Sequence, residues 1–482
     1  MEMSESPHAG NHGHTKNVFP TARVIIFLVF CFSIPGITSG DNVVLAADTQ
    51  ALEQQIKRMQ QDLNRPMNEL KVVREKQALS ADAEDKAKEG FRFSTKGGIK
   101  VESGNGNFKA QIGGRLMADA AWFNEDKTNM DDDTEIRRVR LHLAGTIFKD
   151  WHFKTEWDFA GNAVSAKDVW IKYTGWKSFH NLDITVGHHK IPMMVENVTS
   201  SRFITFMERS TAHGAFVGGV GDRQIGISGN IHGDNWSFTG GIWGADVDDD
   251  ALGEGDDDWQ TGVRLTHAHY HDKGRVLHFG LWGNYFENQD SSSITFEPRP
   301  ESHIMSGMVS TGAITTTDDL VRWGGEVAGV YGPVSLQGEY VRVDIDRTSS
   351  SDVTTDFDFY GWYLEGSYFL TGETRPYSVK KGGFGRVKPL KSLHRGGLGA
   401  WQVAARYSGI DLDDGTITGG VEHNMTLGLN WYVNPYIRFM ANYILVDNND
   451  NATNNSGNLH ADESSAANDD PQIFMLRAQV DF

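Results

Sequence analysis

From Phe108 onward, apolar and polar positions alternate along the chain. In the first such segment Phe108, Ala110, Ile112, Gly114, Leu116, Ala118, Ala120 and Trp122 take the even positions. Lys109, Gln111, Arg115 and Asp119 lie between them. A period of two puts neighbouring side chains on opposite faces of a strand, which a helix cannot do. The next segment sets Val139, Leu141, Leu143 and Ile147 against Arg138, Arg140, His142 and Thr146, and a third sets Phe153, Thr155, Trp157 and Phe159 against Lys154, Glu156 and Asp158. Similar runs follow at about 166–173, 182–189, 224–232, 235–243, 259–270, 275–287, 320–331, 334–345, 356–370, 400–407, 419–432, 436–446 and 472–482. The total is about sixteen, an even number, as closed antiparallel bacterial barrels have. Short connectors (Lys149–Asp150, Gly233–Asp234, Gly332–Pro333, Asn434–Pro435) alternate with long polar ones, and strand ends are rich in Trp, Tyr and Phe. The pattern predicts an all-β fold: a transmembrane antiparallel β-barrel of about 16 strands over 91–482, behind a short N-terminal coiled-coil helix.

The final strand carries the most specific local signal. Phe474, Leu476, Ala478, Val480 and Phe482 share one face, and the chain ends on that Phe. An aromatic end on an alternating strand resembles the assembly signal of bacterial outer-membrane barrels. The expected partners are therefore the barrel assembly machinery, reached through Phe482, with outer-membrane lipid and lipopolysaccharide around the wall.

The N-terminal part is different. Residues 1–23 are polar and end in Arg23, with Lys16 upstream, before the apolar run Val24 to Ile34. That run is too short to span a bilayer and reads as a secretory signal peptide over 1–47, cut after Gly40 or near Ala46–Ala47. Cys31, His8, His12 and His14 fall in the discarded part. In 48–90, Leu52, Ile56, Met59, Leu63, Leu70 and Val73 recur at heptad spacing, and Pro66 takes one seam position. Proline should break or kink the helix there. The stripe fits a coiled coil joining copies of the chain, or a lone amphipathic helix.

The sequence has 45 Lys+Arg against 64 Asp+Glu, a net charge of −19, 39% hydrophobic residues and one cysteine. Its mean hydropathy of −0.43 excludes a helical membrane protein. The acidity argues against nucleic acid as a partner, and one cysteine excludes a disulfide framework. Acidic residues gather between the strands: Asp131–Asp133, Asp246 with Asp248–Asp250, Asp256–Asp258, Asp411 with Asp413–Asp414, and 447–470. These are expected in long solvated loops, with divalent-cation bridging to lipopolysaccharide as the alternative. The inward positions differ. Alternation points Lys109, Arg115, Arg138, Arg140, Lys154, Lys172, Arg264, Arg322, Arg406, Arg438 and Arg477 into the lumen, against fewer acids, Asp119, Glu156, Asp158, Asp168, Glu339 and Asp481. A basic excess inside an acidic protein is what an anion pathway needs.

Two connections stand out. Residues 190–223 form a long loop with Lys190, Arg202, Arg209 and Arg223. Strand counting places 371–398 at the periplasmic end, where turns should be short; it carries Arg375, Lys380, Lys381, Arg386, Lys388, Lys391 and Arg395 against Glu373. Such a segment is expected to fold into the barrel or line its exit. His267, His269 and His271 lie at period two and read as rim residues rather than a metal site. The sequence holds no G-x-S-x-G, H-E-x-x-H or Walker loop, so neither enzyme activity nor a cofactor is expected.

Several motifs resemble the phosphate-selective porin O/P family. These are Arg137-Arg138-Val139-Arg140, Gly145-Thr146-Ile147-Phe148, Trp157-Asp158-Phe159-Ala160-Gly161 and Gly187-His188-His189-Lys190-Ile191-Pro192. Others are Thr199-Ser200-Ser201-Arg202-Phe203-Ile204-Thr205-Phe206-Met207-Glu208-Arg209-Ser210, Leu370-Thr371-Gly372-Glu373-Thr374-Arg375-Pro376-Tyr377 and Gly399-Ala400-Trp401-Gln402-Val403-Ala404-Ala405-Arg406-Tyr407. The resemblance runs from about 91 to 482. It implies a sixteen-stranded homotrimeric outer-membrane channel, narrowed by inward loops, passing phosphate or polyphosphate. It places the constriction at Arg202 and Arg209, with Asp168 as acidic counterpart and Asn197 where a lysine is usual. The expected function is passive diffusion of oxyanions past lumenal Arg and Lys in a Gram-negative outer membrane. A weakly selective porin of the same shape, an outer-membrane hydrolase and a mainly structural tether are the alternatives.

Overall fold

The computed structural model describes residues 44–482 except 96, 129, 245–257, 273, 289–292, 348–355, 450 and 453–466. Residues 1–43 of the predicted signal segment, with His8, His12 and His14, and most of the acidic stretch at 246–258 lie outside the described residues. The chain divides into two units, Met1–Asp82 and Ala83–Phe482.

Helix α1 (Val44–Glu89) continues through Pro66, so of the predicted break or kink no break occurs. Proline removes one N–H, and here the neighbouring turns continue the helix across it. Leu52, Ile56, Met59, Leu63, Leu70 and Val73 are all exposed within this single chain.

The second unit opens with a hairpin, β1 (Phe91–Ser94) and β2 (Ile99–Ser103). The ascending and descending strands follow as β3 (Phe108–Asn124), β4 (Asp133–Ile147), β5 (Trp151–Asp158), β6 (Ser165–Trp176), β7 (Leu182–Lys190), β8 (Arg223–His232), β9 (Trp236–Trp243) and β10 (Trp259–Asp272). Next come β11 (Arg275–Glu287), β12 (Thr317–Tyr331), β13 (Val334–Arg347) and β14 (Phe357–Phe369). Two short strands, β15 (Tyr377–Ser378) and β16 (Gly383–Phe384), pair with each other. The series ends with β17 (Ala400–Asp414), β18 (Ile417–Asn434), β19 (Ile437–Asn448) and β20 (Gln472–Asp481). From β3 to β14 and from β17 to β20 each strand pairs antiparallel with the next, and β14 pairs with β17. Closure is made by β20 against β3, from Gln472↔Asn124 to Asp481↔Arg115. This is a closed barrel of sixteen strands. Where β20 ends, β2 takes its place beside the start of β3.

Both barrel ends of the chain and the tight turns share one rim, the periplasmic one in outer-membrane barrels. The connection 370–399 leaves from that rim, as predicted. At the opposite rim the turn between β17 and β18 has only two residues, Gly415 and Thr416. Asp411, Asp413 and Asp414 therefore sit on a strand, not in a long loop; paired β-structure here extends past the membrane.

Outward positions carry a lipid-facing band, with Ile112, Leu141, Ile171, Ile227, Leu265, Leu281 and Leu427 all exposed. It is edged by aromatic pairs such as Trp401 stacked on Trp431 and Trp122 beside Phe474. The inward face departs from expectation. In the extracellular half of β13 to β20, Val341, Val343, Ile345, Phe357, Phe359, Ile410, Leu412, Ile444 and Met475 point inward and are buried. Their outward neighbours are charged, as with Arg342, Asp344 and Asp346. The apolar phase inverts where the strands leave the bilayer, because water lies outside there and packed loops lie inside.

Candidate pore constriction

The loop after β7 enters the lumen and packs on that inverted face. Met193, Met194, Met207, Phe216 and Val217 join one core with the inward residues of β13 to β20. Its polar residues are fixed to the wall. A short helical turn, α2 (Val195–Val198), offers its first N–H groups to Glu339, with Val195 N to Oε2 at 2.7 Å and Glu196 N to Oε1 at 2.9 Å. Ser201 Oγ accepts a hydrogen bond from Arg115 at 2.6 Å. Glu208 accepts from Arg137 at 2.9 Å, Arg138 at 3.1 Å and Arg477 at 2.6 Å. Ser210 caps the turn α3 (Thr211–His213), and its hydroxyl donates to Glu196 at 2.9 Å. The polar residues of this loop are thus a set of anchors.

The loop does not itself span the membrane, and two of its acids diverge. Burial disfavours charge on both. At Glu208 the Arg137, Arg138 and Arg477 guanidiniums outweigh it and hold the carboxyl well below the usual range. At Glu196 burial prevails over Arg406 and pushes the carboxyl up to about 7.

A second inward segment, 293–316, was not legible as such. Glu301 is buried and accepts from Arg406 Nε at 2.9 Å, Ser408 at 2.7 Å and Thr426 at 2.5 Å. Phe296 packs edge-on to Phe216, with ring centroids 5.2 Å apart. The available signal was the apolar content of this loop, Ile294, Phe296, Met305, Met308, Val309 and Ile314, which a solvated connection would not carry.

From the periplasmic end, 379–386 also turns inward. Arg264 donates to the carbonyls of Lys381 at 3.0 Å and Gly382 at 2.6 Å. Phe384 N donates to Thr199 Oγ1 at 3.1 Å, so the two inward segments touch. Lys380 pairs with Asp183 and Arg386 with Asp481. Arg375 is buried, bound to Gln337 and Glu365 over the Phe384 ring, while Lys388 is exposed.

What stays open is a cavity of about 810 Å³ on the β3–β10 side. Fifteen Lys and Arg line it against seven carboxylates. Many of these cations are neutralised in an alternating ladder along the wall: Asp158–Arg140–Glu156–Lys154–Asp168–Arg223–Asp222–Lys190. Among the described residues, six lining cations have no carboxylate in ion-pair range: Lys167, Lys172, Arg202, Arg209, Arg299 and Lys381.

The predicted residues therefore separate. Arg202, Arg209 and Asp168 line the cavity, with Arg115, Arg138, Arg140, Lys154, Lys172, Arg264, Lys380 and Lys381. Arg209 also donates to the carbonyls of Glu196 at 2.9 Å and Thr199 at 3.1 Å. Asn197 does not line it: fully buried, its Oδ1 accepts from Lys190 Nζ at 2.8 Å. Arg406, Arg438 and Arg477 do point inward, but they are buried beneath the loops. Arg438 holds the carbonyls of Ile204 and Thr205, and Arg477 holds Asp119. Arg322 is equally buried, on the Phe216 carbonyl. These four fasten loops and meet no solvent path. Lys109 does not line the cavity and pairs with Glu102. The histidine row is also split: a β-bulge between Ala268 and Tyr270 leaves His269 unpaired and turns His271 to the other face from His267. No group of three or more metal-ligating side chains occurs among the described residues.

A closed sixteen-strand barrel with an apolar belt, inward loops and a charged water path defines an outer-membrane channel. The chain belongs to the family "Phosphate-selective porin O and P", whose model matches residues 110–482. Porin O of Pseudomonas aeruginosa is 29% identical over 435 residues, covering 81% of this chain and 92% of that protein. An uncharacterized protein of Caulobacter vibrioides is 29% identical over 366 residues, 73% of this chain and 71% of its own. Among solved structures, the anion-selective porin from Comamonas acidovorans superposes with a TM-score of 0.50 at 14% identity, over 78% of this chain and 100% of that one.

Proposed function

We propose that this porin is a passive channel that prefers anions, with phosphate and related oxyanions as its leading substrates. The observation that carries the reading is the excess of fifteen cations over seven carboxylates around the one wide cavity described, six of those cations lacking an acidic partner. An anion entering that space exchanges part of its hydration for guanidinium and ammonium donors. Arg202 and Arg209 supply such donors from the loop, Lys381 from the periplasmic segment. The ladder acids, Asp168 among them, keep the field moderate, so the anion leaves again. The family description, phosphate-selective porin O and P, supports the phosphate assignment. Assembly as a homotrimer, entry through the assembly machinery by way of Phe482, and contact with lipid and lipopolysaccharide belong to the same proposal. No covalent step is involved.

Reversal potentials of single channels in a KCl gradient test the reading: the sign must report chloride over potassium, and phosphate must block the chloride current. Cation preference refutes it. A second reading, a weakly selective porin, is favoured by the ladder, which cancels much of the basic charge; anion preference without phosphate block would select it.

A further inference from the structure

The periplasmic connection does more than enter the lumen. Residues 386–399 read Arg-Val-Lys-Pro-Leu-Lys-Ser-Leu-His-Arg-Gly-Gly-Leu-Gly and contain no acid. After Arg386 the chain crosses the rim, with Val387 in a small core with Phe369, Ala400 and Tyr432. It then lies over the outer side of β17 and β18. The indole N–H groups of Trp401 and Trp431, both on the lipid-facing side, donate to the Leu398 carbonyl at 3.2 and 2.9 Å. Their rings stack with centroids 5.3 Å apart.

The segment is built, not slack. A tight turn over Leu393–Arg395 ends on Gly396 at φ 74°. Gly397 N and Gly399 N close back on Ser392 and Lys391 at 3.1 and 3.2 Å, and a Cβ on Gly397 would collide with the Lys391 carbonyl. Leu390 N is tied to Glu373 Oε1 at 2.9 Å. On this rigid frame Leu390 is 74% exposed, Leu398 73% and Leu393 46%. Lys388, Lys391 and Arg395 are exposed too, without an ion pair to any carboxylate among the described residues.

We propose that residues 388–398 form a foot resting in the periplasmic leaflet of the membrane. The three leucines enter the acyl edge, continuing the Trp401–Trp431 belt, and Lys388, Lys391 and Arg395 hold the phosphates of anionic phospholipid. Apolar side chains beside cations at aromatic-belt height are the chemistry of an interfacial anchor. This inference rests on the membrane placement of the barrel and is independent of which ion the channel passes.

The test uses the assembled protein in phosphatidylglycerol–phosphatidylcholine liposomes. With Cys31→Ser, a nitroxide is placed at Leu393→Cys, at lipid-facing Leu429→Cys and at Asn105→Cys in the exposed β2–β3 turn. Oxygen-over-nickel accessibility at 393 should match 429; a value matching 105 overturns the proposal. Water exposure in liposomes with shielding in intact cells would mean a soluble periplasmic partner and also overturns it. Separately, K388Q/K391Q/R395Q should lower retention of phosphatidylglycerol over phosphatidylcholine in native mass spectrometry by about fivefold per cation. Unchanged retention removes the headgroup contacts from the proposal.

Discussion

Glu208→Gln tests how the constriction is held. The carboxylate is the shared acceptor of Arg137, Arg138 and Arg477, at 2.9, 3.1 and 2.6 Å. Arg477 keeps Asp119 after the change, whereas Arg137 and Arg138 lose the one carboxylate they pair with among the described residues. Charge-assisted hydrogen bonds contribute about 1.5–3 kcal/mol each, and breaking a buried ion pair costs roughly 3–5 kcal/mol. The Arg137 side chain is 18% exposed, so its share is screened and the lower end applies. A loss of about 3 kcal/mol in loop docking raises the undocked fraction roughly 10²-fold. Single-channel recordings should then show frequent excursions to a larger conductance, and the anion-to-cation permeability ratio should rise because one negative charge is gone. Acid has a different effect. A carboxyl held below its ordinary value contributes stability above that value and loses it only as the pH falls through the depressed one. The wild type should therefore stay quiet at about pH 4.5, near the ordinary carboxyl range. Quiet recordings and unchanged thermal melting in Glu208→Gln would refute the anchoring argument.

Arg202→Ala and Lys381→Ala should each lower the anion-to-cation permeability ratio and weaken phosphate block of chloride current, read from reversal potentials and dose–response curves. Arg209→Ala should weaken the block and also raise open-channel noise, because its guanidinium holds two loop carbonyls. Glu196 has a raised value, so its contribution is present at low pH and lost as the pH climbs from the ordinary carboxyl value through about 7; Glu196→Gln should raise the melting temperature at pH 8 and leave it nearly unchanged at pH 4. Glu301→Ala leaves Ser408 and Thr426 without their acceptor and Arg406 with Glu196 as its remaining carboxylate, and should destabilise the barrel by about 3 kcal/mol while increasing conductance, measured by thermal melting and single-channel steps.

The sequence carried the barrel because lipid imposes its own periodicity. Sixteen runs of alternation from Phe108 to Phe482, and the turns between most of them, match strands. It misled where that solvent changes. Val341, Val343 and Ile345 look lipid-facing by type, yet they face inward, because packed loops replace water there. Arg406, Arg438 and Arg477 were read correctly as inward but not as buried, since alternation reports direction and says nothing of what fills the lumen. Segment 293–316 hid its role in ordinary-looking Met and Phe, and Asn197 lies beneath the surface its loop presents. Non-local partners such as Glu301 on Arg406, 105 residues apart, leave no mark in local pattern.

The filled arc opposite the cavity bears on how such a protein can change. Sixteen strands enclose far more room than the solute uses, and the surplus is occupied by two folded insertions. Aperture is therefore governed by what the wall encloses, not by strand number, and substitutions in those insertions can resize the opening without rebuilding the cylinder. By the same token, a lineage that loses either insertion inherits a greasy, wide hole in its envelope.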